Sequence, residues 1–246
     1  HDEPHGWPQN FTLETIRAHT EDSLRHLGID SLFLTQLHCI PTDELRRGEV
    51  FEHLRTLQSE GLIRHWGVSV ETVEEGLFCI EQPGLTSLQI IFNIFRQKLV
   101  SELLPAAQAK GVGLIARVPL ASGLLAGKYT ADTTFTETDH RHYNAEGQCF
   151  NIGETFAGVG LAHGTALAEA VRDTLPDPAE HTMAQQALRW ILDHDAITTV
   201  IPGATRLAQA ESNAAVSEME SLPEETHTKL RDLYNDQIVD KIQGAY

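Results

Sequence analysis

The stretch Gly111–Tyr129, GVGLIARVPLASGLLAGKY, places an apolar run, a turn of small residues and a basic residue in an order that suits an anion. The run Val112–Val118 predicts a short strand that Pro119 ends, and the turn Ala121–Gly123 comes before Lys128. Backbone N–H groups at such a turn carry partial positive charge, so a phosphate can bind there without a cage of side chains. An ordinary strand-to-helix loop has a similar sequence, and this stretch alone leaves both interpretations open.

Polar side chains also gather at the far end of a second apolar run, Ser31–Cys39, which carries Gln36, His38 and Cys39. A histidine in this position is either a functional group or a core residue whose hydrogen bonds are satisfied. The pair His140 and His142 next to Asp139 is spaced like a metal site. Because the chain has 13 histidines, chance explains that pair, and we predict no metal site.

Composition excludes several classes of protein. A chain of 246 residues can bury one large core, and no segment approaches the ~20 apolar residues of a membrane helix. The start, His1–Gln9, has no hydrophobic signal region. The net charge of −17 argues against a nucleic-acid or anionic-membrane partner. It favours an ordinary acidic surface, with adaptation to high salt as the alternative.

Three widely spaced cysteines, Cys39, Cys79 and Cys149, form no zinc pattern and leave an odd number. We therefore expect free thiols and a cytoplasmic protein.

Helical and strand patterns alternate along the first half of the chain. The predicted strands are Ser31–Cys39, Ile63–Val70, Ser87–Phe95, Val112–Val118 and Thr198–Ile201. The predicted helices are a first one capped by Thr12 and ended by Gly28, then Glu49–Ser59, Glu71–Ile80, Leu99–Lys110, Leu161–Asp173, Thr182–Asp193, Leu207–Glu218 and Glu224–Ile242. Pro41–Arg47 reads as a loop, and Thr130–Gly160 is polar without a period, as a lid over a site would be.

This alternation predicts right-handed βαβ units and a parallel sheet, either doubly wound or closed into a barrel. No G-x-G-x-x-G fingerprint follows any of the strands. Barrels bind phosphate on the loops after their last two strands, and Pro119–Lys128 and Pro202–Arg206 both suit that role. We therefore predict an α/β fold of the (β/α)8 TIM-barrel type.

Five motifs in register, LTQLHC, GVSVETVEE, LQIIFNIF, ARVPLASGLLAGKY and VIPGATRLAQAESN, resemble the aldo-keto reductases. The resemblance runs from Phe11 to the last helix. It implies a barrel that binds NADPH, or in some members NADH, across its mouth. It also implies an oxidoreductase that reduces the carbonyl group of a small molecule to an alcohol.

The resemblance assigns the reactive half of the site to three strand ends. His38 matches the catalytic histidine, which would donate a hydrogen bond to the substrate carbonyl. Ser69 and Gln89 match positions that hold the nicotinamide carboxamide, and Asn93 is either a neighbour or a residue that satisfies backbone groups. Arg117 stands where an aromatic ring usually stacks on the nicotinamide, and its guanidinium can stack there while adding charge.

The resemblance assigns the other cofactor contacts to two loops. The pyrophosphate loop holds Pro119, Leu120, Ser122, Gly123, Leu124 and Lys128; the adenosine side holds Ile201, Gly203, Ala204, Thr205, Arg206, Gln209 and Asn213. Gly203 replaces a common lysine and Ser212 replaces a common glutamate. Because Arg206 could bind a 2′-phosphate, NADP is favoured as the cofactor, and NAD stays open.

The family's proton-donating tyrosine, its lysine and its aspartate have no match in this sequence. We expect that three β/α units, roughly 90 residues, precede His1 in the intact protein. Residues 1–246 would then be a single partial barrel domain, inactive alone, with residues 130–160 as a long polar loop at the barrel mouth. Two alternatives stay open. One is a catalytically degenerate module that binds cofactor or assembles with a partner or a second copy, and the other is an unrelated barrel enzyme.

Overall fold

The computed structural model describes residues 11–176 and 180–246, which divide into two compact units. The first unit holds residues 11–89 and Pro105–Gly113, and the second holds Ile90–Leu104 and Leu114–Tyr246. The segment His1–Gln9, which we predicted to have no hydrophobic signal region, lies outside the described residues. The prediction of a single domain concerns both units together, and it stays a prediction.

The first unit contains most of three strands and five helices, with the ends of β3 and α5 belonging to the second unit. The strands are β1 (Leu32–His38), β2 (Ile63–Ser69) and β3 (Leu85–Ile91), and the helices are α1 (Leu13–Leu27), α2 (Thr42–Arg47), α3 (Glu49–Ser59), α4 (Val73–Cys79) and α5 (Leu103–Lys110).

The strands of the first unit are parallel, with β2 between β1 and β3. Helix α3 turns Val50, Phe51, Leu54 and Leu57 to the interior, on the face that the helical spacing predicts. The ring of Phe51 lies 5.8 Å from that of the fully buried Trp66 on β2. Burial of these large side chains fixes the helix against the sheet.

Local capping explains where the first helix begins and ends. The Thr12 side chain accepts a hydrogen bond from the Thr15 N–H, and Gly28 closes the helix in the left-handed conformation. Both ends were predicted.

The predicted loop at Pro41–Arg47 is wrong, because Thr42–Arg47 forms α2. Proline is pre-organised for a helix start, and Leu45 is almost completely buried. A helix of six residues is too short to show a period in the sequence.

The second unit contains two parallel strands, β4 (Gly113–Arg117) and β5 (Ile197–Val200). Its helices are α6 (His140–Tyr143), α7 (Leu161–Thr174), α8 (Met183–Leu192), α9 (Leu207–Ala214) and α10 (Glu224–Leu233). Helix α8 is strongly amphipathic, and Trp190 on its buried face contacts Phe92 with ring centroids 5.1 Å apart.

Several predicted boundaries need correction. The predicted helix Leu99–Lys110 begins at Leu103, and the predicted helix Leu207–Glu218 ends at Ala214 and continues as a 3₁₀ turn.

Strand β3 ends at Ile91 and not at Phe95, because Asn93 accepts a hydrogen bond from the Phe95 N–H and bends the chain. Asn93 also donates to the Val118 carbonyl, so it satisfies backbone groups, the second of its two predicted roles.

The last predicted helix is interrupted. Helix α10 ends at Leu233 and continues as a π-helical turn, Tyr234–Ile238, and a 3₁₀ turn, Val239–Lys241. The stretch predicted as a loop, Thr130–Gly160, contains α6 and two further 3₁₀ turns.

In the part of the chain that the structure describes, every helix is too short or too polar to cross a membrane.

Candidate functional site

Three of the predicted site residues lie side by side in the first unit. His38 is in register with Ser69, and Ser69 is in register with Gln89, at the carboxyl ends of β1, β2 and β3. Residues in register on parallel strands point to the same face of a sheet. His38 is exposed, Gln89 is half-buried and Ser69 is buried. The row therefore presents an imidazole, a hydroxyl and an amide together.

A polar layer lies two residues before this row. The Gln36 amide donates to the Ser87 hydroxyl at 2.9 Å, across Gly67 on the strand between them. A Cβ on Gly67 would lie 2.3 Å from Ser87 Oγ and 2.6 Å from Gln36 Oε1. Only glycine leaves room for this bond, which supports the row from below.

The chain turns sharply just after His38. Cys39 has a left-handed φ of 47°, and its N–H donates to the Ser69 carbonyl at 3.1 Å. The Val70 N–H donates to the Gln89 carbonyl at 3.0 Å. These two backbone hydrogen bonds continue the pairing of the strands just past the row, and so they fix the register of His38, Ser69 and Gln89.

The turn after β4 in the second unit is strained. Val118, Ala121 and Ser122 have left-handed φ angles of 52°, 47° and 56°, and Gly123 follows at 99°. Such angles cost energy for residues other than glycine and tend to be kept at binding sites.

Pro119 and Leu124, which were also predicted to contact the cofactor, are buried packing residues.

The Ser122 hydroxyl makes hydrogen bonds to two backbone groups of the protein. It donates to the Glu154 carbonyl at 2.9 Å and accepts from the Phe156 N–H at 3.1 Å. A phosphate contact from Ser122 would compete with these bonds, and among the described residues Ser122 and Gly123 are not part of the cavity described next.

The loops after β4 and β5 line one cavity of about 290 Å³ in the second unit. Six of its lining residues were predicted to bind the cofactor: Leu120, Lys128, Gly203, Arg206, Gln209 and Asn213. The other lining residues are Ala126, Thr182, Ala184, Ala208 and Ser212. The structure thus brings both predicted phosphate loops to one place. Arg117, Ile201, Ala204 and Thr205 are not among the described residues that line it.

Sequence reasoning missed Thr182 and Ala184. Thr182 is the N-cap of α8, and its hydroxyl accepts from the Gln185 N–H in a capping box. The T-x-x-Q spacing predicts a helix start, and a helix start offers partial positive charge to an anion. That signal marks the start of α8, and its place at the cavity follows only from the fold.

Gln209 has a structural task at this cavity. Its Oε1 accepts from the Thr205 N–H at 2.8 Å, the Thr205 hydroxyl at 3.0 Å and the Arg206 N–H at 3.1 Å. The amide therefore closes the turn at the start of α9 and fixes the backbone of Arg206. An adenine contact from Gln209, as predicted, would have to come from its Nε2.

The charges at the cavity suit an anion. Lys128 and Arg206 contribute two cations, and no residue among the described ones that line it is acidic. In a chain of net charge −17, this is the kind of local exception that concentrates an anionic ligand. Gly203 and the two cations at this cavity are compatible with an anionic ligand.

Arg117, the last residue of β4, is buried and pairs with Glu154 of the turn Ile152–Glu154. The Arg117 Nη1 and Glu154 Oε1 atoms are 3.0 Å apart. Glu154 escaped sequence reasoning because it lies in the aperiodic stretch 37 residues after Arg117.

Asp139 and Arg141 form a second pair in the same stretch. Hydrogen bonding from the Arg141 guanidinium holds the pKa of Asp139 at about 2, and the His140 Nδ1 lies 3.6 Å from Asp139 Oδ1. The Arg141 guanidinium also lies 4.4 Å from the centre of the Phe135 ring. Asp139 is thus committed to an ion pair that stabilises the polar stretch.

The sequence profile of the Aldo/keto reductase family matches residues 2–235, and the chain belongs to this family. It is 26% identical over 237 residues to an uncharacterized oxidoreductase, YqkF, of Bacillus subtilis, covering 93% of this chain and 70% of that protein. It is 26% identical over 209 residues to the NADH-specific methylglyoxal reductase of Escherichia coli, covering 84% of this chain and 60% of that protein.

The solved holo form of the aldo-keto reductase AKR11C1 from Bacillus halodurans is similar in fold. It superposes with a TM-score of 0.71 at 24% identity, covering 95% of this chain and 69% of that one. The predicted class, α/β of the TIM-barrel type, is confirmed. The chain spans between 54% and 70% of the length of the curated relatives it matches.

Proposed function

We propose that this chain is part of an NAD(P)H-dependent oxidoreductase that reduces an aldehyde or ketone to an alcohol. The observation that carries the proposal is the cavity in the second unit. Six residues assigned to the cofactor line it together, with two cations and with no acidic group among the described lining residues. Membership of the Aldo/keto reductase family supports the same chemistry.

A reduced nicotinamide, when bound, supplies the hydride for such a reduction. In this proposal Ser69 and Gln89 hydrogen-bond the carboxamide and fix which face of the ring meets the substrate. His38, exposed at the end of β1, donates a hydrogen bond to the carbonyl oxygen. This bond stabilises the negative charge that develops on the oxygen as the carbonyl is reduced.

Arg206 and Lys128 favour NADP, since a 2′-phosphate adds negative charge that a guanidinium binds well. NAD stays a candidate because one relative is named an NADH-specific reductase. That relative's name also makes methylglyoxal the first carbonyl compound to test. The free thiols of Cys39, Cys79 and Cys149 support the proposal of a cytoplasmic protein, and a homo-oligomer is proposed as its assembly.

The experiment is a fluorescence titration of the purified protein with NADPH and with NADH, repeated on Arg206→Ala. We expect saturable binding of NADPH, and we expect the variant to lose ~10-fold or more of NADPH affinity while NADH affinity changes little. A charge-assisted hydrogen bond to phosphate contributes roughly 1.5–3 kcal/mol, which sets this magnitude.

Arg231→Ala is the matched control, because Arg231 lies on α10 in the same unit and its guanidinium bonds only the neighbouring Thr228 hydroxyl among the contacts described. Its affinities should equal those of the wild type. If the wild type bound neither NADPH nor NADH, the proposal would be overturned. Binding without reduction of any carbonyl compound, in a protein that includes all segments native to it, would favour the degenerate module.

A further inference from the structure

The ion pair between the buried Arg117 and the half-buried Glu154 has no part in the function proposed so far. The Arg117 side chain is 6% exposed and that of Glu154 is 22% exposed. Partial withdrawal of charges from water is unfavourable unless each charge has a good partner. The 3.0 Å contact between Nη1 and Oε1 supplies such a partner for the guanidinium.

The backbone of Glu154 is held on the turn that follows β4. Its carbonyl accepts from the Ser122 hydroxyl, and that same oxygen of Ser122 accepts from the Phe156 N–H. Phe156 and Ala157 have left-handed φ angles of 52° and 56°. Strain of this kind persists only where the surroundings enforce it, so this arrangement is maintained by the fold.

The chain segment that precedes Glu154 is also held by hydrogen bonds. Asn144 is fully buried; its Oδ1 accepts from the Cys149 and Phe150 N–H groups, and its Nδ2 donates to the Thr155 hydroxyl. Asn151 accepts from the Gly153 N–H at 2.7 Å. The carboxylate of Glu154 is therefore presented to Arg117 by a pre-built frame and not by a flexible side chain on the surface.

We propose that Glu154 is a positioning residue that orients Arg117 and lowers the positive charge at the nicotinamide end of the site. The inference rests on the proposed function together with the family resemblance, which assigns Arg117 to the position that stacks on that ring. An oxidised nicotinamide carries a positive charge and a reduced one is neutral. A carboxylate at Arg117 therefore favours the oxidised cofactor relative to the reduced one.

The test compares Glu154→Gln with the wild type, with NADP⁺ and NADPH as the probes in separate calorimetric titrations. Removing the carboxylate should raise the Kd of NADP⁺ about tenfold more than that of NADPH, the order expected for one unit charge a few ångströms away in a partly buried site. Partial misfolding lowers the number of sites equally for both probes and leaves the ratio of the two Kd values unchanged.

Three further variants complete the design. Glu154→Asp keeps the charge and should restore the wild-type ratio. Adding Arg117→Met to Glu154→Gln removes the cation and should return the ratio toward the wild-type value. Glu169→Gln, which removes the exposed partner of Arg172 in the same unit, is the control and should leave the ratio unchanged.

Equal weakening of both cofactors in Glu154→Gln would reduce Glu154 to a packing role and overturn the inference while leaving the proposed function intact. No binding of either cofactor by the wild type would overturn the proposed function and this inference with it.

Discussion

At the scale of single residues, the placement of His38 matters most. Strand alternation predicts which side chains of β1, β2 and β3 share a face, and the register of His38, Ser69 and Gln89 agrees with it. The contact of Arg117 with Glu154 could not be predicted in the same way. It joins a strand end to an aperiodic stretch, where no period tells which carboxylate turns inward.

His38→Gln tests the assigned role of the imidazole. We expect turnover of a reducible carbonyl compound by the protein to fall by ~10²–10⁴-fold, the usual loss of a positioned proton donor, with the Kd of NADPH within about twofold of wild type. Steady-state kinetics and fluorescence titration measure the two quantities. His26→Gln, on the exposed end of α1, is the control.

If turnover by His38→Gln stayed at the wild-type rate, the imidazole would not act on the carbonyl. A loss of NADPH affinity as large as the loss of turnover would point to a binding role instead.

At the scale of elements, the sequence predicts the structure best where a long amphipathic pattern or a cap is present. Helix α3 has the predicted bounds, Glu49–Ser59, and Thr182 caps α8 as a T-x-x-Q motif should. Helix α2 was missed because six residues carry no period. The end of β3 was misplaced because Asn93, which bends the chain by accepting from the Phe95 N–H, is also held by a bond to the Val118 carbonyl, which is distant in sequence.

Gly67 on β2 leaves room for the Gln36–Ser87 hydrogen bond, which lies under the row of His38, Ser69 and Gln89. Gly67→Ala would drive a Cβ into the Gln36–Ser87 bond, and overpacking of this kind costs about 1–3 kcal/mol of the free energy of unfolding. Urea denaturation measures it. Gly203→Ala is the control, because a Cβ at position 203 meets no atom within 4 Å among the described residues, and its stability should change by less than ~0.5 kcal/mol.

If Gly67→Ala lowered the free energy of unfolding no more than Gly203→Ala does, the strands would have moved apart to accept the added Cβ at little cost. The polar layer under His38, Ser69 and Gln89 would then not be rigid.

At the scale of the whole molecule, composition and alternation were enough to indicate an α/β protein, and motif order indicated the family that the profile match now establishes. Net charge describes the whole chain and does not indicate the local charge of the site. The chain has a net charge of −17, whereas the cavity beside Lys128 and Arg206 has no acidic residue among the described ones lining it. Both loops were predicted from the sequence to bind phosphate, and the fold adds that they line one cavity.

The most direct test of the central claim, that the turns after β4 and β5 bind the phosphate-bearing half of a dinucleotide, uses a ligand without a nicotinamide. Adenosine 2′,5′-bisphosphate and adenosine 5′-monophosphate are titrated calorimetrically into the wild type and into Arg206→Ala at low salt. We predict one bisphosphate site per chain, at least about tenfold tighter than the monophosphate, with that advantage lost in the variant. No saturable binding of the bisphosphate, or the same preference for it in Arg206→Ala, would contradict the claim.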